Sequence, residues 1–350
     1  MLHLLLALLI GVAAGPIRLA SDTAPDTSPL RLAASAFGQT VEIELRDLPR
    51  DASRAAIQAA LAEVAEIERL TDPEAPPEGN AGSITVGSIA SLNAQAGAGL
   101  VPVDPRLAHA LVRGLEICYW SERAHGPLAR DLYRLWGLRT ASTVNPADDL
   151  DTLQRTVNAT ACRHLQVDEA ASTAGLAAGS AVDLWGFAEG LAVDRAVEVL
   201  RQHGATNGFV QVGSVYRGFG KGLDGRGWRI QMPLLPGMSV PPGRLFLRDQ
   251  SLAIASATDR PLRAAVGDTL PPYVNQRTGR PAQGTLATAV VAERALDAQS
   301  VAVTLAILGP GEGQMRLGQL TPRPSVLWLQ GNGNGEPLAI EYLWGLVPKR

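Results

Sequence analysis

Apolar residues recur along this chain with three spacings, and each predicts a different kind of segment. Residues 39–46, QTVEIELR, alternate apolar and polar positions, the period of a strand with one buried face. Ile57, Leu61, Val64, Ile67 and Leu70 fall three or four apart, the stripe of an amphipathic helix, and Asp51 stands where its N-cap belongs. Asp104 and Pro105 supply a cap and a first-turn proline for a second helix faced by Leu107, Leu111, Leu115 and Cys118. A third helix runs from about Phe187 to His203 and stops at Gly204. Strand-like runs follow at 208–213, 227–232, 286–292, 325–330 and 338–343, and the apolar segment Val301–Leu308 reads as helix. Asp72–Gly87, with three prolines and three glycines, reads as a loop. Helices and strands in this order, without regular βαβ alternation, predict an α+β fold rather than a doubly wound sheet.

The third spacing is continuous. Residues 2–14, LHLLLALLIGVAA, form an apolar run of signal-peptide length, too short to span a bilayer comfortably, with Ala13, Ala14 and Gly15 as a cleavage point. No Lys or Arg precedes it, so an uncleaved anchor is the alternative. The expected organisation is a signal segment over 1–20, a polar linker over 21–32 and one folded domain over 33–346. That places the protein outside the cytoplasm, in a periplasm, or on the inner membrane if the segment is retained. Export permits a disulfide between Cys118 and Cys162, the two cysteines of the chain.

Composition removes several classes of function. With 31 basic against 34 acidic residues the chain carries no electrostatic footprint for nucleic acid. Two cysteines are too few for a thiolate zinc site, and the five histidines have no ligand spacing. Gly220, Gly222 and Gly225 fit GxGxxG, but the strand-like Trp228–Ile230 follows them, so no helix N-terminus is offered to a pyrophosphate and a hairpin turn is expected. The glycines of 331–335 read as another turn.

A succession of motifs says more. In order these are Phe37-Gly38-Gln39-Thr40-Val41, Ser91-Leu92-Asn93, Leu135-Trp136-Gly137-Leu138, the stretch from Asp183-Leu184-Trp185-Gly186 to Asp194, Arg277-Thr278-Gly279-Arg280-Pro281, and Ala306-Ile307-Leu308-Gly309. Their order and separation resemble the ApbE family, the FAD:protein FMN transferases, over roughly residues 33–345. The resemblance implies a single ApbE-type (T-fold-like) domain that binds FAD and Mg²⁺. It also implies transfer of FMN, through a phosphodiester bond, to a Thr or Ser of an acceptor protein, commonly a subunit of a membrane redox pump.

Carried over by position, the resemblance makes Asp183 and Glu189 the catalytic pair. It assigns the flavin nucleotide to Phe37, Ala124, His125, Gly126, Asp183, Glu189 and Tyr273, and the metal to Gly186, Gln299 and Val303. Several of these depart from the family pattern. Phe37 replaces a Met, and Ala124-His125-Gly126 replaces Ala-Phe-Asp. Gly213-Ser214-Val215 replaces Gly-Gly-Asp, and Pro272 and Asn275 stand for a His and an Asp. Gln299 and Val303 replace an Asp and a Thr that ligate the metal, with Ala302 at a further ligand position. Gln299 offers a metal one neutral carbonyl oxygen and Val303 offers nothing. Asp297, two residues earlier on the predicted helix, falls about 200° round the axis, on the opposite face. Read from its residues alone, Asp183 is an N-cap for the third helix, and only the surrounding resemblance sets the nucleotide role level with that reading. Two functions follow: an FMN transferase, or a protein of the same fold that binds flavin or a partner without chemistry.

Overall fold

The computed structural model describes residues 26, 28–75, 86–138, 149–258, 262–263, 269–270, 272–331 and 337–348. The expected signal segment, most of the linker, the centre of the Asp72–Gly87 loop and most of the 331–335 turn lie outside the described residues.

The chain begins with a hairpin, β1 (Leu30–Ala36) and β2 (Gln39–Leu45), so the first strand starts inside the stretch read as linker. Helices α1 (Arg50–Thr71) and α2 (Ile89–Ala94) follow, then β3 (Val101–Pro102), α3 (Pro105–Trp120), α4 (Arg130–Leu135) and α5 (Leu150–Ala159). Strands β4 (Leu165–Asp168) and β5 (Thr173–Leu176) lead to α6 (Ala188–Gln202). A run of strands comes next: β6 (Gly208–Val212), β7 (Val215–Phe219), β8 (Trp228–Gln231), β9 (Arg244–Leu247) and β10 (Gln250–Ser256). After the short β11 (Leu262–Arg263), β12 (Thr269–Leu270), β13 (Val274–Asn275) and β14 (Arg280–Pro281), the chain closes with β15 (Thr285–Ala292), α7 (Ala295–Leu317), β16 (Ser325–Gln330) and β17 (Leu338–Tyr342). The central sheet has eight strands in the order β1-β2-β6-β7-β10-β15-β16-β17. Every neighbouring pair in it is antiparallel, as an α+β fold requires.

Both faces of the sheet are covered, which explains why its central strands read as continuous apolar runs. Along β10, Ala253 and Ala255 face the core built with α1, α3, α6 and α7, while Leu252 and Ile254 face the β8–β9 hairpin with Trp228, Ile230, Leu245 and Leu247. The period of two survives in direction but not in polarity, because neither side meets water.

Most helix ends fall where predicted. Asp104 accepts a hydrogen bond from the Arg106 amide at 2.9 Å and caps α3. Asp51 does not cap α1: Pro49 holds that place without a side-chain bond, and Asp51 lies in the first turn, where its charge still complements the helix dipole. Asp183 does not cap α6 either, because the chain makes a further turn and Phe187 stands at the N-cap. Helix α7 contains Val301–Leu308 and continues past a kink at Gly309, whose φ of +68° precedes Pro310. The Gly220–Gly225 stretch is a turn with positive φ at all three glycines, yet not a hairpin turn: it carries the chain from β7 to β8, which pairs with β9 instead.

Two ties hold the helical layer. Cys118 in α3 is bridged to Cys162 with Cα atoms 6.0 Å apart, across a sequence separation of 44. Closing a loop of that size removes about 4 kcal/mol of unfolded-chain entropy on the loop-closure model. The second tie joins α6 to α7. Asp194 accepts the amides of Ala295 and Leu296, each at 3.0 Å, and is ion-paired with Arg217 from β7. One carboxylate therefore ends α7 and neutralises a guanidinium whose side chain is only 11% exposed. Asp194→Ala removes all three contacts and leaves that cation unpaired. The expected loss is about 3–5 kcal/mol of unfolding free energy by urea denaturation, with a smaller loss for Asp194→Asn.

Candidate functional site

A cleft of about 350 Å³ opens where the β1–β2 turn, the start of α6, the middle of α7 and the end of β10 converge. Its wall includes Gln39, Trp185, Gly186, Glu189, Ser214, Thr258, Tyr273, Gln299, Ala302 and Val303, and its size lies within the range of small-molecule sites. A smaller cleft of about 220 Å³, containing Phe37 and Glu68, adjoins it through Trp185 and Glu189. A larger cleft of about 470 Å³ lies at Phe209, Tyr216 and Trp228, and none of its wall residues is a predicted site residue.

The turn before α6 shapes the floor of the site. Asp183 is fully buried; its Oδ1 accepts the Trp185 amide at 2.8 Å, and its own amide donates to Pro127 O at 2.8 Å. Asn93 clamps the preceding residue from both sides, accepting the Val182 amide at 2.7 Å and donating to Val182 O at 2.9 Å. Ala124, His125 and Gly126 form a shelf below this turn and are not in the cleft wall. Gln276 holds the shelf, donating its amide to Ala124 O at 3.0 Å and its side chain to Gly126 O at 2.7 Å. The Thr-Gly loop that follows Gln276 is the turn of the β13–β14 hairpin, and the Trp136 indole donates to Gly279 O at 2.7 Å.

Glu189 and Gln299 meet inside the cleft. Glu189 is 5% exposed; its Oε2 accepts the Gln299 Nε2 at 2.7 Å and its Oε1 the Gln39 Nε2 at 3.3 Å. The Gln299 Oε1, the oxygen expected to face a metal, instead accepts the Gly190 amide at 2.7 Å. Val303 and Ala302 add methyl groups to the same wall. Asp297 points away, as its helical phase predicts, and pairs with Arg113 of α3 at 2.8 Å; burial nevertheless pushes its carboxyl above the usual range. Among the described residues no group of three or more His, Cys, Asp or Glu side chains is placed to hold a metal ion.

The aromatic wall comes from Tyr273, expected from the sequence, and Trp185, which was not. Their rings lie 6.0 Å apart at 24°, and Tyr133 meets Trp185 edge-on at 5.1 Å. Trp185 sits within the most specific motif, which was its one sequence signal. Gln39, Asn93 and Gln276 were also missed as functional supports, because their partners lie up to 150 residues away. Phe37 lies in the adjoining cleft, at φ +56° in the two-residue β1–β2 turn, with its amide donated to Glu68 at 2.6 Å. The structure thus brings Glu189, Gly186, Tyr273, Gln299 and Val303 to one cleft, Phe37 beside it, and Asp183 and the 124–126 shelf beneath.

His125 is wholly buried, stacked on Phe187 at 4.8 Å, with Nδ1 3.0 Å from the Thr304 hydroxyl. Gly186 is confined by it, since a Cβ there would lie 3.1 Å from His125 Nε2. Burial pushes the His125 imidazole down from 6.5 to about 4. Between those values the unfolded chain binds more protons than the folded one, so stability is full above about pH 6.5 and falls as pH drops towards 4. The expected loss over that window is up to about 3 kcal/mol by urea denaturation, and His125→Phe, which keeps the ring stack, flattens it.

Comparison with known proteins places the chain in a family. Residues 37–327 match the ApbE family. A FAD:protein FMN transferase of Rhodobacter capsulatus is 26% identical over 310 residues, 87% of this chain and 56% of that protein. One from Haemophilus influenzae is 30% identical over 131 residues, 37% of this chain and 38% of that protein. The chain therefore matches little more than half the length of the first of these relatives and less of the second. Among solved structures, the ApbE protein of Thermotoga maritima superposes with a TM-score of 0.76 at 18% identity, over 92% of this chain and 100% of that one. The Pseudomonas stutzeri flavinyl transferase ApbE, apo form, gives 0.73 at 16% identity, over 90% and 94%. The single α+β domain has the fold of these proteins, and with the family matched across most of its length, the chain belongs to the ApbE family.

Proposed function

We propose that this protein binds FAD in the 350 Å³ cleft and transfers FMN from it to a hydroxyl of an acceptor protein. The observation that carries this reading is the Trp185–Tyr273 wall beside the Glu189 carboxylate, with Trp185 and Glu189 inside the 183–194 motif that resembles the flavin transferases. The two rings offer faces for the planar parts of the dinucleotide. Glu189 Oε1, which among the described residues accepts only the long bond from Gln39, is the oxygen available to an attacking hydroxyl. In the transfer, the acceptor oxygen bonds to the FMN phosphorus, the pyrophosphate P–O bond breaks, and AMP departs while the hydroxyl proton passes to Glu189. The acceptor group is a Thr or Ser, on a subunit of a membrane redox complex. The protein acts after export, in the periplasm, and its Cys118–Cys162 bridge and apolar first residues support that placement.

Mg²⁺, which the family resemblance implies, does not fit the residues present. The Gln299 oxygen is committed to the Gly190 amide, and Val303 and Ala302 carry no oxygen on their side chains. A hard dication asks for one or two carboxylates besides phosphate and water, and among the described wall residues the one carboxylate, Glu189, already accepts the Gln299 and Gln39 amides. The metal positions read as dismantled, and no step above is routed through a metal. This favours a second reading, in which the protein holds the flavin nucleotide without transferring it.

Two measurements separate these readings. Trp185→Ala should weaken FAD binding by about tenfold in a fluorescence titration, the scale of one lost aromatic contact. If it leaves binding unchanged, the nucleotide does not use this wall. With water in place of the acceptor hydroxyl, the purified transferase releases AMP from FAD, and Glu189→Gln stops this while keeping FAD bound. Retained FAD with no AMP from the parent protein establishes the non-transferring reading.

A further inference from the structure

We infer that Gln299 takes the place of a cation beside Glu189, so that the cleft binds its flavin nucleotide independently of divalent metal. The inference rests on the flavin-nucleotide reading of the same cleft and names the residue that sets its metal requirement.

A carboxylate only 5% exposed needs partners for its charge. Among the described residues no Arg, Lys or His forms an ion pair with Glu189, which is hydrogen-bonded instead by the side-chain amides of Gln299 and Gln39. The orientation of the Gln299 amide follows from chemistry. A peptide N–H can only donate and a carboxylate can only accept, so the oxygen must face Gly190 and the NH₂ must face Glu189. Rotating the side chain to offer its oxygen elsewhere would strand both a buried N–H and a buried carboxylate. Gln299, Ala302 and Val303, at helical spacings of three and four, all stand in the cleft wall, so this face of α7 presents no other oxygen. Gln299 is 9% exposed and bonded at both ends of its amide to neighbouring residues of α6, so the arrangement is built into the α6–α7 contact.

The converse gives the test. A carboxylate at position 299 would meet Glu189 across the space of a 2.7 Å hydrogen bond, and two anions that close require a cation or a proton between them. The full chain is titrated with FAD in excess Mg²⁺ and in EDTA, alongside Gln299→Asp and the longer Gln299→Glu, each first checked for a cooperative thermal transition. The parent protein is expected to bind FAD with the same affinity in both, within about twofold, and a folded variant to bind at least about tenfold more tightly with Mg²⁺ than in EDTA. Tenfold tightening of FAD by Mg²⁺ in the parent protein overturns the inference, and so do folded variants that ignore Mg²⁺. Should the parent protein bind no FAD under either condition, the flavin reading itself fails. Mn²⁺ then decides the role of Gln299 by electron paramagnetic resonance. Stoichiometric Mn²⁺ on a variant and none on the parent supports it, whereas equal Mn²⁺ on both overturns it.

Discussion

The approach of α6 to α7 is the constraint on which the rest of the structure depends. Gly190 makes it possible, since a Cβ there would lie 2.6 Å from Ala295 O and 2.7 Å from Leu296 Cα. Asp194, one turn on, stabilises the contact by accepting both first amides of α7 and pairing with Arg217 from the sheet. Helix α7 is thereby held at a fixed rotation, with Gln299, Ala302 and Val303 towards the cleft and Asp297 towards Arg113. The glycine and the last aspartate of the most specific motif therefore act on architecture. Gly190 also holds the Gln299 oxygen of the cleft wall, whereas Asp194 acts from outside that wall.

The other family-like segments act as clasps in the same way. Asn93 of the Ser-Leu-Asn motif holds Val182, Asp183 holds the Trp185 amide, and Gln276 holds the shelf at Ala124 and Gly126. Trp136 holds Gly279 of the Thr-Gly loop. Apart from the local Asp183 bond, each joins segments distant in sequence, and all are made to backbone groups. Buried peptide groups must find partners, so side chains that supply them are constrained by geometry as strongly as any ligand contact. The cleft wall gains a rigid Trp185–Gly186 turn as a result.

Against that scaffold the described wall of the cleft is electrically quiet. Its one wall carboxylate is met by neutral amides rather than by a cation, and the buried His125 stays neutral at physiological pH because desolvation disfavours its charged form. Both ends of the Gln299 amide are taken, its NH₂ by Glu189 and its oxygen by Gly190, and it adds no charge beside that carboxylate.

The sequence by itself determined the class of fold, the main helices and strands, and the family, because periodicity, caps and motif spacing are local properties of the chain. It also placed Asp297 on the wrong face for the cleft, since helical phase is arithmetic. Other features depended on chain segments meeting in space. Local signals could not show that Asp51 and Asp183 would not cap helices, that the Gly220–Gly225 turn would join two strands that do not pair with each other, or that Trp185 would line the cleft. Nor could they show that the Gln299 oxygen would be taken by Gly190, 109 residues earlier. Which hydrogen-bond partner a buried polar group obtains is settled by the packing of distant elements, and here that packing decided what the site offers a ligand.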